Sequence, residues 1–259
     1  MTTPAQPSRL VYIYFFISGI TALVYEIIWT RQLTLVFGHT VYSVSIVLSA
    51  FMAGLGFGSF VWGHRIDRAV ARQEETPPLL VYGRIEILIF AASAVLSLIF
   101  SEFHVAYAWM HRWLPESPVL YNALKAVLAF LLIFVPTTFI GATLPIISKY
   151  YVTDNTRLGT QIGYLYSINT LGAAVGCVLT GFIFISAFGV LQTALLASCG
   201  NLIIGIGCIR IYQEEHPGER APWRLPKIEW PSMTLSAEQK LWMGIAFVCG
   251  FTALAYEVL

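Results

Sequence analysis

Seven apolar runs, each about as long as a bilayer is thick, leave this chain few folds to adopt. They cover residues 10–29, 41–62, 79–101, 119–147, 160–185, 188–210 and 241–259. About 20 residues of helix cross the hydrocarbon core, and a backbone in lipid must satisfy its own polar groups. The expected class is therefore an all-α integral membrane protein, a polytopic helical bundle. Charged residues make up only 11% of the chain, against roughly 25% in an ordinary soluble domain. The remainder has no room for a soluble domain, the net charge of +1 says little by itself, and no nucleic-acid partner is expected. The expected surroundings are a lipid bilayer.

Orientation follows from the basic residues. With the N-terminus in the cytoplasm, that side collects Arg9, Arg65, Arg68, Arg72, Arg84, Lys149, Arg157, Arg210, Arg220, Arg224, Lys227 and Lys240. The other side keeps Arg31, Arg112 and Lys125, which completes the 15 Lys and Arg. The positive-inside rule then predicts a cytoplasmic N-terminus in a cell membrane, of the bacterial inner-membrane kind. The first run is too long for a cleaved leader and lacks a small-x-small site, so it reads as a retained span. The four cysteines all fall within spans without a C-x-x-C pair, and no metal or cofactor site is expected.

One passage returns. Phe16, Gly19, Thr21, Ala22, Leu23, Tyr25 and Glu26 recur in register as Phe247, Gly250, Thr252, Ala253, Leu254, Tyr256 and Glu257, seven identities in thirteen positions. The Pro-rich stretch before the second copy reads as a linker. The expected organisation is a six-helix unit over 1–212, a cytoplasmic linker over 213–237 and the first helix of a second, incomplete repeat over 238–259. The complement would be a missing second half, a second copy or other membrane subunits. On the outer side, Phe103, Tyr107, Met110 and Leu114 recur at helical spacing beside Trp109 and Trp113, a pattern for an interfacial helix; His104 and His111 lack a clear third ligand.

Intramembrane polar groups are the candidate site, because such residues are costly unless paired or functional. On a helical wheel Ser18, Gly19, Thr21, Ala22, Tyr25 and Glu26 share one arc of the first span, which turns Glu26 toward the bundle. Lys125 on the fourth span, at a similar estimated depth, is its expected partner, with Arg31 the alternative. On the third span Glu86 is a candidate, whereas Arg84 is expected to snorkel. On the fifth, Asn169, Thr170, Ala173, Gly176 and Thr180 form a small, polar face opposite Leu171, Val175, Val178 and Phe182. Ala50, Gly54 and Gly58 form a packing stripe. Pro136 and Pro145 bracket Thr137, Thr138, Gly141 and Thr143, so a broken fourth helix lining a site is expected.

Four passages carry a family resemblance: 18–31 around Tyr25-Glu26, 51–59 around Gly54-Leu-Gly56-Phe-Gly58, 136–145 from Pro136 to Pro145, and 163–173 around Tyr166 and Asn169. Together they resemble the membrane portion of fused major-facilitator/spermidine-synthase-like proteins. The resemblance implies a six-helix major-facilitator-like half followed by the start of a second. Gly63, Asp67, Arg68 and Arg72 are similar to the cytoplasmic loop motif of major facilitators, with its glycine and second basic residue altered. Many members carry a soluble aminopropyltransferase domain, of which this chain shows neither the Gly-rich cofactor loop nor the acidic cluster. An enzyme is therefore not expected. The expected function is a transporter-like domain handling a small, cationic or polyamine-like solute through Tyr25, Glu26, Glu86, Lys125, Tyr166 and Asn169. The alternative is a non-transporting anchor or scaffold subunit.

Overall fold

The computed structural model describes residues 9–38, 40–71, 77–102, 118–151, 158–217 and 236–258. Apolar runs become helices because only a helix satisfies each N–H and C=O within its own segment. They are α1 (Arg9–Phe37), α2 (Thr40–Ala71), α3 (Pro78–Ser101), α4 (Pro118–Tyr151), α5 (Leu158–Leu179), α6 (Val190–Glu215) and α7 (Ala237–Val258). A π-turn over Thr180–Phe184 and a last turn over Ile185–Phe188 prolong α5. No strand occurs among the described residues.

Six helices, α1 to α6, are long and apolar enough to cross a membrane. The seventh expected span forms α7 but is not among the six. Ser236 caps it reciprocally: Gln239 N donates to Ser236 Oγ at 3.2 Å and Ser236 N donates to Gln239 Oε1 at 3.0 Å, a capping box. Its described side chains are exposed, and among the described residues it packs, sparsely, against α2. The side chains from Leu254 onward, Tyr256 and Glu257 included, lie outside the description, as do the proposed interfacial helix near Tyr107 and most of the linker.

Three close pairs build the bundle: α1 with α5, α2 with α4, and α3 with α6. Glycine sets each crossing. A side chain at Gly172 or Gly176 would overlap the α1 backbone at Phe16 and Ile20, and one at Gly19 would overlap Asn169. Gly54 and Gly58 lie against Thr137 and Thr138, and Gly141 against Leu55. Gly83 and Gly205 face one another so closely that a Cβ on Gly205 would sit 2.7 Å from the Gly83 carbonyl. Such small-residue contacts let helices approach where lipid supplies no hydrophobic drive. The pairs join through α1 against α6 and α2, and α3 against α4.

Three expectations about local structure change. The prolines do not break the fourth span; α4 runs without interruption through Pro136 and Pro145. Proline at 145 cannot bond the carbonyl four residues back, and Ser59 Oγ of α2 donates to that Gly141 oxygen at 2.8 Å. The motif read as a loop is helical: Gly63, Asp67 and Arg68 occupy the last turns of α2, while Arg72 and the Asp67 side chain lie outside the description. Arg84 does not snorkel freely; it is 5% exposed, beside Tyr212 of α6. The α5–α6 joint needs no loop, because Gly189 at φ 79° reverses the chain in one residue, a conformation glycine adopts without steric cost.

Candidate functional site

Of the arc expected to face the bundle, Ser18, Gly19, Thr21, Ala22 and Tyr25 are buried, and so are Val24 and Ile28 of the opposite arc, because α1 is packed on more than one side. Glu26, adjacent to Tyr25, is only half-buried. The inward polar groups of α1 meet α3 and α6 one turn from the Gly83–Gly205 crossing, where the close approach of those helices brings Glu86 and Asn201 together.

Glu86 is fully buried and is the centre of this meeting. Ser18 Oγ donates to its Oε1 at 2.7 Å, and Asn201 Nδ2 donates to its Oε2 at 2.6 Å. The Tyr25 hydroxyl donates to Asn201 Oδ1 at 2.6 Å, so the amide is used at both ends. These bonds lie at the short end of the usual range, and they bind α1, α3 and α6 through a single carboxyl group. Tyr25 also stacks on Trp29, with ring centroids 5.2 Å apart, and Trp29 Nε1 donates to Ser97 of α3 at 3.3 Å.

Two further hydroxyls around this network belong to fully buried residues and make no hydrogen bond of good geometry: Tyr82 Oη and Ser93 Oγ. Tyr82 adjoins Glu86 and Ser18, and Ser93 adjoins Tyr25. Buried polar groups are nearly always satisfied, so both hydroxyls have capacity for another polar group. The side chains that bond to Glu86, Ser18 and Asn201, are neutral. Two hydrogen bonds stabilise a carboxylate without cancelling its charge, and a charge within a bilayer costs on the order of 3 kcal/mol on insertion scales. The arrangement suits a small positive species, or a proton.

The other expected site residues lie around this centre. Asn169 is half-buried, its backbone and side-chain oxygens against Gly19 on the α1–α5 crossing. Tyr166 is 59% exposed on the outside of α5. Lys125 is buried, with its ammonium 5.2 Å from the Phe37 ring centroid and 5.6 Å from that of Tyr121. Of the expected site residues the structure brings Tyr25 and Glu86 together, joined by Asn201, Ser18 and Tyr82, which sequence reasoning did not name as site residues. Asn201 carried the same signal as Asn169, an amide within an apolar run.

Among the described residues no group of three or more His, Cys, Asp or Glu side chains is placed to hold a metal ion. Comparison with known proteins gives one informative relation. No family description and no solved structure matches the chain. The chain is similar to "Polyamine aminopropyltransferase 1" of Streptomyces coelicolor (strain ATCC BAA-471 / A3(2) / M145), at 22% identity over 194 residues, which is 74% of this chain and 32% of that protein. The chain thus spans about a third of the length of the curated relative that it matches.

Proposed function

We propose that this chain is a transporter-like membrane domain that binds a small, amino-bearing cation, of the polyamine class, at Glu86. One observation carries the reading: a fully buried carboxyl group on α3 is held by neutral donors on two other helices, Ser18 of α1 and Asn201 of α6, with the buried Tyr82 hydroxyl beside it. An ammonium group supplies the missing charge and gives Tyr82 a donor to accept from. The curated relative's name adds the polyamine class as a suggestion. In this reading the bundle is a six-helix major-facilitator-like half, and its N-terminus is cytoplasmic in a bacterial inner membrane, because that orientation leaves twelve of the 15 basic residues inside.

A ligand that binds only the folded state raises its thermal midpoint by mass action. Spermidine or putrescine added to the detergent-solubilised protein is expected to raise the midpoint, and Glu86→Gln is expected to remove that response. The second reading, a membrane anchor or scaffold for a larger assembly, is favoured by the exposed outer face of α5 and the sparse contacts of α7. It becomes the better one if no amine shifts the midpoint, or if Glu86→Gln responds like the parent.

A further inference from the structure

Glu86 faces few groups able to alter its charge. Tyr82 is on its own helix, Tyr25 approaches from α1 through Asn201, and Cys208 is the thiol of α6 on that side. From α4, Tyr151 turns instead to Tyr12 and Cys208. Arg84, two residues away on α3, lies beside Tyr212, and the side chains that bond to the Glu86 carboxyl, Ser18 and Asn201, are neutral. When no solute is present, relief of a buried negative charge therefore falls to a proton.

The surroundings accept that proton without movement of the backbone. With the carboxylate, Ser18 donates to Oε1 as observed. With the acid, the Oε1–H group donates to Ser18 Oγ, and the Ser18 hydrogen needs a new acceptor. A helical serine has one available in the carbonyl four residues back, here Tyr14. Ser198 uses that arrangement toward Ala194 at 2.9 Å, and Thr180 toward Gly176 at 2.7 Å. Asn201 keeps its bond to Oε2 in both states. One hydroxyl rotation separates the two states.

We propose that Glu86 is a reversible proton-binding site, with Ser18 as the rotor that serves both its charged and its neutral form. The inference rests on Glu86 as the centre of the proposed solute site and deepens that reading: a proton and an amine would compete for one carboxyl. The proton is taken from and returned to water, and no other group changes its bonding.

Infrared difference spectroscopy on the full chain in lipid nanodiscs, in buffer free of amines, tests this directly. Beside the bands of the other carboxyls among the chain's 14 Asp and Glu, a protonated-carboxyl C=O component is expected to grow as the pH is lowered and to vanish as it is raised, and this component is expected to be absent from Glu86→Gln. Glu86→Asp, which keeps a carboxyl, should show a displaced band, and it decides the matter if the glutamine variant does not fold. In Ser18→Ala the band should move to higher frequency through loss of a hydrogen bond, and Ser18→Thr should restore it. Identical pH-dependent carboxyl bands in the parent and in folded Glu86→Gln overturn the proposal; a Glu86 component unmoved in Ser18→Ala overturns the role of the rotor. Because no amine is present, failure here leaves amine-induced stabilisation standing, and failure of that stabilisation leaves the titrating band standing.

Discussion

α3 and α5 are both apolar helices bearing polar residues, yet the bundle treats them in opposite ways. In α3, 61% of the most apolar stretch is buried inside the bundle; in α5 the share is 17%. Polar residues alone do not explain this, because α5 carries Tyr164, Tyr166, Ser167 and Thr170 on exposed positions. The difference lies in how many helices approach. α3 is closed in by α6 across Gly83 and Gly205 and by α4 on another side, so that Glu86 is enclosed. α5 meets mainly α1, along Gly172 and Gly176, and leaves Leu171, Val178 and Phe182 exposed. A polar group in a span becomes a site when a second helix and a third close over it.

Substitutions can break that contrast, and thermal unfolding in detergent is the common measure. The largest effect is expected for Gly205→Leu, whose side chain has backbone 2.7 Å away and the Ile87 side chain 2.6 Å away. The α3–α6 pair cannot separate without losing Asn201 from Glu86, and folded protein should not be recovered. Next is Asn201→Leu, which strips Glu86 Oε2 and the Tyr25 hydroxyl of their partner. Each unsatisfied buried group costs about 1–3 kcal/mol, so a loss of about 2–4 kcal/mol is expected. Ser59→Ala leaves the Gly141 carbonyl without the α2 hydroxyl and should cost about 1 kcal/mol. Tyr166→Phe on the open face of α5 should stay within about 0.5 kcal/mol. If Tyr166→Phe cost as much as Asn201→Leu, the distinction between enclosed and open helices would fail.

The sites of the spans were legible because apolar length and membrane thickness are directly related. Their ends were not: α2 continues through His64, Arg65 and Arg68 to Ala71, since polar residues beyond an apolar run do not by themselves stop a helix. The continuity of α4 was hidden for a different reason. Pro145 predicts an orphaned carbonyl, but the hydroxyl that satisfies it is at Ser59, 82 residues from Gly141 in the chain. Glu86 stood out by the cost of its charge, and Tyr25 by the wheel of α1. Which polar residues would meet required the crossings, and these depend on which glycine faces which backbone. Gly83 with Gly205 is such a pairing, and no local pattern in the sequence announces it.

The three glycine crossings also divide the bundle mechanically. Within a pair the backbones nearly touch, so neither helix can slide or roll against its mate without collision; each pair behaves as one stiff strut. Ser18 and Tyr25 belong to the α1–α5 strut, while Glu86 and Asn201 belong to the α3–α6 strut. The two short bonds between them are the fastening of one strut to the other, made to one carboxyl and to the amide beside it. Anything that changes what Glu86 holds acts on that fastening, with the leverage of two whole helix pairs behind it.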